Sequence, residues 1–272
     1  MVDEGWTLRD DGVTVVRGAI PAPVRAAVRG ALDRGVDTSD PASCIRPNNV
    51  LVPLPWHDEV AEVLLADPGV VAAVQRACGA TDLRWISGYV SVRAPGTGPL
   101  PWHQDWWCWD HPASYEQAPS QVAVLCYVEE VVPERAALRV VPGSHRRPEV
   151  VADRTDPVTG AIDGDVDGGV VVSAEPGDLV VLDYRTLHGT TANRTGRGRH
   201  VVILNFTPHW ASLAEDIRAH LVSHHSLPQP GDDVPPGHPV LPLLPSHTGP
   251  RRDMGLHRQP RAGQYLRSAA TP

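Results

Sequence analysis

The chain has 272 residues, with 24 basic against 32 acidic side chains for a formal net charge of −8, and every basic residue is an arginine. An acidic balance without a basic run argues against nucleic acid as a partner. No apolar run approaches the roughly 20 residues of a membrane helix, and the acidic start Met-Val-Asp-Glu-Gly-Trp lacks the apolar stretch of a secretory leader, so no membrane and a cytoplasmic location are expected. The four cysteines, Cys44, Cys78, Cys108 and Cys126, form no CxxC pair and read as free thiols.

In chain order, Gly12–Arg17 reads as a short strand of β-branched residues. Val24–Arg34 follows with apolar residues at helical spacing. Asp58–Leu65 and Pro68–Cys78 read as two more helices, the second stopped by Gly79. The texture then changes. Leu83–Arg93 is strand-like, Ala94–Pro101 is a Gly/Pro loop, and Gln121–Glu129 and Leu138–Val141 are apolar strands separated by polar turns. Residues 151–168, rich in Asp and Gly, read as a surface excursion. Gly169–Ser173, Leu179–Tyr184 and His200–Thr207 give three further strands. Ala211–Ser223 reads as an amphipathic helix, and the chain from Leu227 onward is Pro-rich without periodicity. Short strands separated by turns, after a helical start, predict a mainly β protein with flanking helices, a double-sheet jelly roll. One domain over residues 1–272 is expected. Its parts are a helical layer at about 20–80, a jelly-roll core at about 83–210, and a C-terminal helix with a Pro-rich wrap at 211–272.

The chemistry concentrates in Pro101–Trp109, Pro-Trp-His-Gln-Asp-Trp-Trp-Cys-Trp. On an extended strand, residues i and i+2 share a face, so His103 and Asp105 project side by side. With one more histidine they would complete the two-His, one-carboxylate triad that holds non-haem Fe(II) and leaves positions open. His188 supplies that third ligand at the far end of an apolar strand, and the following Gly189 lets it reach inward. Arg199 stands eleven residues later, at the start of the next strand. An inward arginine on a jelly-roll strand needs a carboxylate partner, and its fork suits a bidentate one.

These motifs, together with Leu138-Arg-Val-Val-Pro-Gly-Ser-His145, the Pro176-Gly177-Asp178 turn and the opening Asp11–Gly18 strand before a helix, resemble the phytanoyl-CoA dioxygenase family. The resemblance covers most of residues 8–210. It implies a cupin-like double-stranded β-helix and an oxygenase dependent on Fe(II), 2-oxoglutarate and O2. It implies metal ligands at His103, Asp105 and His188, and binding of the distal carboxylate of 2-oxoglutarate by Arg199 and Thr190. Ser91 and Arg93 are candidates for further cosubstrate contacts. The sequence departs from the family at Arg135-Ala136-Ala137, where Asn-Gly is common. Hydroxylation of a small molecule is the expected outcome, with natural-product tailoring in a high-GC bacterium as the setting. Desaturation, epoxidation, demethylation and ring rearrangement stay open, as do a zinc hydrolase and a non-catalytic cupin-like binding protein. Asp105 argues against a halogenase, since related halogenases carry a small residue there.

If the strand continues past Asp105, Trp109 falls on the face of His103 and Asp105. In related ectoine hydroxylases an aromatic at this offset lines the substrate pocket, so Trp109 is a candidate substrate contact. Trp102 and Trp106 read as packing, and Cys108 as a small apolar filler. Asp110 and Glu116 nearby suggest a basic or polyfunctional substrate. His145, His200 and His209 read as structural, and the tail histidines, His224 and His257 among them, as solvent-facing.

Overall fold

The computed structural model describes residues 5–162 and 164–261. A short helix α1 (Leu8–Asp11) leads into β1 (Val13–Val16), then α2 (Ala22–Asp33) and a hairpin of β2 (Cys44–Arg46) and β3 (Asn49–Leu54). Helices α3 (Glu59–Ala66) and α4 (Pro68–Cys78) follow, then β4 (Arg84–Arg93) and β5 (Leu100–His103). The rest of the barrel is β6 (Val122–Cys126), β7 (Leu138–Val140), β8 (Ala161–Ile162), β9 (Val170–Val172), β10 (Leu179–Asp183), β11 (His188–Thr190) and β12 (Arg199–Thr207), with α5 (Glu215–Leu221) after it. No helix among the described residues is long and apolar enough to cross a membrane.

The strands form two antiparallel sheets, a major one in the order β1-β10-β6-β12-β4-β3-β2 and a minor one in the order β8-β5-β11-β7-β9. Period-two alternation on the major sheet explains its two-sided burial. Leu179, Val181, Val202 and Leu204 face outward and pack with Val28, Leu32, Val60, Leu64 and Val74 of α2, α3 and α4. Val180, Leu182 and Val201 face inward against Leu138, Val140 and Val172 of the minor sheet. The helices begin and end where local chemistry dictates. Asp67 accepts from the backbone N–H of Val70, Pro68 opens α4 with its preset φ, and Gly79 closes it at φ 58°.

Several elements differ from the sequence expectation; β8, for one, lies within the stretch 151–168 read as a surface excursion and pairs with β5. The sequence reading assigns no element to residues 44–54, where Pro47 and Pro53 interrupt the apolar run and the structure has the hairpin of β2 and β3. Pro47 opens the turn and Asn48 takes φ 62°, which suits a tight two-residue connection. Pro53 lies beyond the end of β2, on a stretch paired to β4 alone. The strand carrying His103 stops at His103 rather than running on through the tryptophans.

Candidate metal centre

The minor sheet brings the three expected ligand residues together. β5 and β11 pair antiparallel with His103 opposite His188, and the two imidazole centroids lie 4.2 Å apart. Gly189 makes this approach possible. A Cβ there would stand 2.8 Å from the carbonyl oxygen of Leu100 and 3.0 Å from that of Pro101. Asp105 lies just past the strand end. Gln104 turns away and donates to the carbonyl of Arg185 at 2.6 Å, which leaves His103 and Asp105 on one side. Asp105 Oδ1 is 3.6 Å from His103 Nε2, and its Oδ2 is 3.5 Å from His188 Nε2. The ligand atoms all fall within 4.8 Å of one another, a spacing that could hold a metal ion.

Each histidine is oriented by the same local device. His103 Nδ1 lies 2.9 Å from the carbonyl of Pro101, and His188 Nδ1 lies 3.0 Å from that of Thr186. A carbonyl only accepts, so Nδ1 carries the proton and the Nε2 lone pair faces the site. Burial, followed by the adjacent His188, pushes the His103 pKa down to about 3, so its imidazole is neutral at ordinary pH. Burial would raise the Asp105 pKa, but His188, His103 and Arg46 together pull it below the usual carboxylate range. Two imidazole nitrogens and one carboxylate suit a divalent transition metal.

The facing sheet supplies a cation. Arg199 is buried on β12, donating through Nη1 to Ser91 Oγ at 3.2 Å and through Nη2 to the carbonyl of Ala136 at 2.8 Å. Among the described residues no carboxylate pairs with it, and its Nε is unsatisfied. Burial lowers its pKa without removing its charge at ordinary pH. Arg93, its register partner on β4, is also buried without a carboxylate. It sits behind Thr190, donating to Thr190 Oγ1 and to the carbonyl of Gly98. Burial, and then the charge of Arg199, brings its pKa down to about 10. Ser91, Thr190 and Arg199 line a cavity of about 360 Å³ between the sheets, together with His103, Asp105 and His188. Arg93 does not reach it.

The tryptophans fall differently from the expectation. Trp109 is fully buried against Tyr115 and does not line the cavity; Trp107 does. Once the strand stops at His103, alternation no longer applies. The chain is instead held by Trp106 N–H donating to Tyr184 and Trp109 N–H donating to His257. Trp106 is packing, with Nε1 donating to Ser114 at 2.8 Å. Cys108 is a buried filler, whereas Cys44 of the hairpin lines the cavity. Asp110 pairs with His257 at 3.2 Å and is not part of the lining, where Asp105 is the only carboxylate.

The sequence reading missed three contributors. Arg46 of the hairpin places Nη1 3.3 Å from His103 Nε2 and 3.6 Å from Asp105 Oδ1. His224, expected in solvent, lines the cavity with Nε2 2.9 Å from the Tyr89 hydroxyl. Leu256 and Arg258 reach it from a C-terminal strap. The available signal was the Arg-Pro-Asn-Asn turn after Cys44; the strap carries none.

Fold and site together define a class, a jelly roll in which two histidines and one carboxylate that could hold a metal face a buried arginine without a carboxylate partner. The phytanoyl-CoA dioxygenase (PhyH) family matches residues 8–201, and the chain belongs to that family of Fe(II)- and 2-oxoglutarate-dependent oxygenases. Solved structures share its fold. HygX from Streptomyces hygroscopicus, determined with nickel, 2-oxoglutarate and hygromycin B bound, is 22% identical with a TM-score of 0.57, covering 74% of this chain and 84% of its own. SnoN, a non-haem α-ketoglutarate-dependent epimerase from nogalamycin biosynthesis, is 20% identical with a TM-score of 0.59, covering 97% and 95%. EctD from S. alaskensis, with 2-oxoglutarate and 5-hydroxyectoine, is 18% identical with a TM-score of 0.55, covering 74% and 73%.

Proposed function

We propose that this protein hydroxylates an unactivated C–H bond of a small molecule, using Fe(II) held by His103, Asp105 and His188 and 2-oxoglutarate anchored through its distal carboxylate by Arg199 and Thr190. The observation that carries this reading is the pairing, across one cavity, of a metal-ligand triad with a buried arginine that has no carboxylate of its own. A zinc hydrolase or a passive cupin-like binder gives Arg199 no task. When bound, iron and 2-oxoglutarate couple decarboxylation of the 2-oxo acid to succinate and CO2 with activation of O2 for oxidation of a C–H bond.

The chain's own residues bind and position. The Nδ1 hydrogen bonds to Pro101 and Thr186 fix both imidazoles before any ligand arrives. Ser91 and Ala136 hold the Arg199 fork in place, and Arg93 holds Thr190. Leu125, Leu182 and Ile203 make the cavity wall apolar, which excludes water. About 360 Å³ lies within the range of small-molecule pockets. Trp107 takes the substrate-facing place that the sequence suggested for Trp109. We assign it to the cytoplasm.

A second reading, epimerisation by the same cofactors, is favoured by the likeness to SnoN along nearly the full length of both chains. The test begins without oxygen. Fe(II) and 2-oxoglutarate are added to the apoprotein, and the visible absorption of a chelated 2-oxo acid is followed. Wild type shows the band, His188→Ala does not, and Arg199→Ala requires far more 2-oxoglutarate. A folded, metal-loaded wild type without the band would refute the assignment. With oxygen and a converted substrate, a mass gain of one oxygen indicates hydroxylation, and an unchanged product mass indicates epimerisation.

A further inference from the structure

We propose that the cavity selects a substrate bearing a carboxylate, held by Arg46 of the β2–β3 hairpin and Arg258 of the C-terminal strap. The proposal rests on the oxygenase reading above. Among the residues lining the cavity, Asp105 is the one carboxylate, against three arginines, Arg46, Arg199 and Arg258. In that reading the metal takes Asp105 and the cosubstrate's distal carboxylate takes Arg199. Arg46 has its ion pair with Asp105 itself. A divalent metal among the same ligand atoms repels a guanidinium 3.3 Å from His103 Nε2, so Asp105 no longer balances Arg46 by itself. Arg258 makes no hydrogen bond or ion pair among the described residues, although its charge reaches Asp105. A divalent metal, Asp105, both carboxylates of 2-oxoglutarate and Arg199 cancel in charge, which leaves Arg46 and Arg258 as excess positive charge in a partly enclosed cavity, where it is costly.

The surroundings shape the rest of the ligand. Leu51, Tyr89, Trp107 and Leu256 line the same space, so an apolar body with one acidic group fits it best. Because Arg46 lies beside the metal ligands, the oxidised carbon falls close to the acid. A basic substrate, as Asp110 and Glu116 suggested, would meet like charge. Neither of those residues lines the cavity.

The test uses protein loaded with Mn(II) and 2-oxoglutarate and titrated with matched pairs, octanoate against octanamide and phenylacetate against phenylacetamide. Tryptophan fluorescence and the thermal midpoint are followed. The acids bind, the amides bind roughly tenfold more weakly, and the preference shrinks at high salt. Arg46→Gln and Arg258→Gln each erase most of the preference, Arg46→Lys retains it, and 2-oxoglutarate binding stays close to wild type in all three. Equal binding of acid and amide, no binding of either acid, or loss of 2-oxoglutarate affinity in Arg46→Gln overturns the proposal. Failure of wild type to take up 2-oxoglutarate with Mn(II) overturns the oxygenase reading, and this proposal with it.

Discussion

The two sheets solve different physical problems. The minor sheet makes its half of the site from short-range contacts, with each histidine tied to a carbonyl two residues back and the pair brought together by register. Its groups are satisfied and oriented before anything binds. The major sheet holds two adjacent buried guanidiniums, Arg93 and Arg199, against each other without a carboxylate. One half is prepared by geometry, and the other by an unmet charge that a ligand relieves.

That contrast can be broken one half at a time. The largest effect belongs to Asp105→Ala, which removes a proposed metal ligand. Loss of an outer-sphere partner alone costs 10–100-fold in affinity, so Mn(II) affinity should fall by more than about 100-fold by electron paramagnetic resonance, with the fold retained. Arg199→Leu attacks the other half. It should weaken 2-oxoglutarate binding by roughly 10–100-fold in calorimetry, as expected for charge-assisted hydrogen bonds. It should also raise the melting midpoint of the apoprotein, because an unpaired buried cation is exchanged for an apolar group. A lower midpoint would mean that the bonds to Ser91 and Ala136 outweigh the burial cost.

Gly189→Ala tests whether register alone makes the metal half. Its Cβ meets two backbone oxygens at 2.8 and 3.0 Å, so β5 and β11 must part. Metal affinity should fall about tenfold while Arg199 and its partners are untouched; unchanged affinity would show that the sheet absorbs the intrusion. The smallest effect is on pH dependence. Burial first, then His225 and His220, pushes the His224 pKa down to about 3, below its unfolded value near 6.5. Between these values the unfolded chain binds the proton and the folded chain does not. Stability is therefore full above about 6.5 and is lost as pH falls towards 3. Urea midpoints across that window should drop in wild type and drop less in His224→Gln.

The grouping of the candidate residues was legible because each sits in a short motif whose spacing maps directly onto strand geometry: His103 with Asp105, His188 with Gly189, and Arg199 at the head of β12. The helices of the N-terminal layer were legible for the same reason, since their caps and periodicity are local. Where a strand stops is not local. It depends on what pairs with it, so alternation extended past His103 kept Trp109 on the cavity face, which in the structure only Trp107 of the two reaches. The hairpin at 44–54 was hidden by two prolines, one that the turn accommodates and one on a stretch paired on one side only. Arg46, His224 and Arg258 lie 57, 121 and 155 residues from His103 and meet it only through tertiary packing, which no spacing in the chain announces.

The strap meets the site through its main chain, with His257 N–H donating to the carbonyl of Trp107 at 2.7 Å and Trp109 N–H returning to the carbonyl of His257 at 2.9 Å. Peptide groups are common to every residue type, so this attachment is indifferent to the side chains at 256 and 258. Those positions, which face the cavity, can therefore vary while the docking persists. A lineage of such proteins can change its clientele by drift at the rim and leave the oxidising machinery as it was.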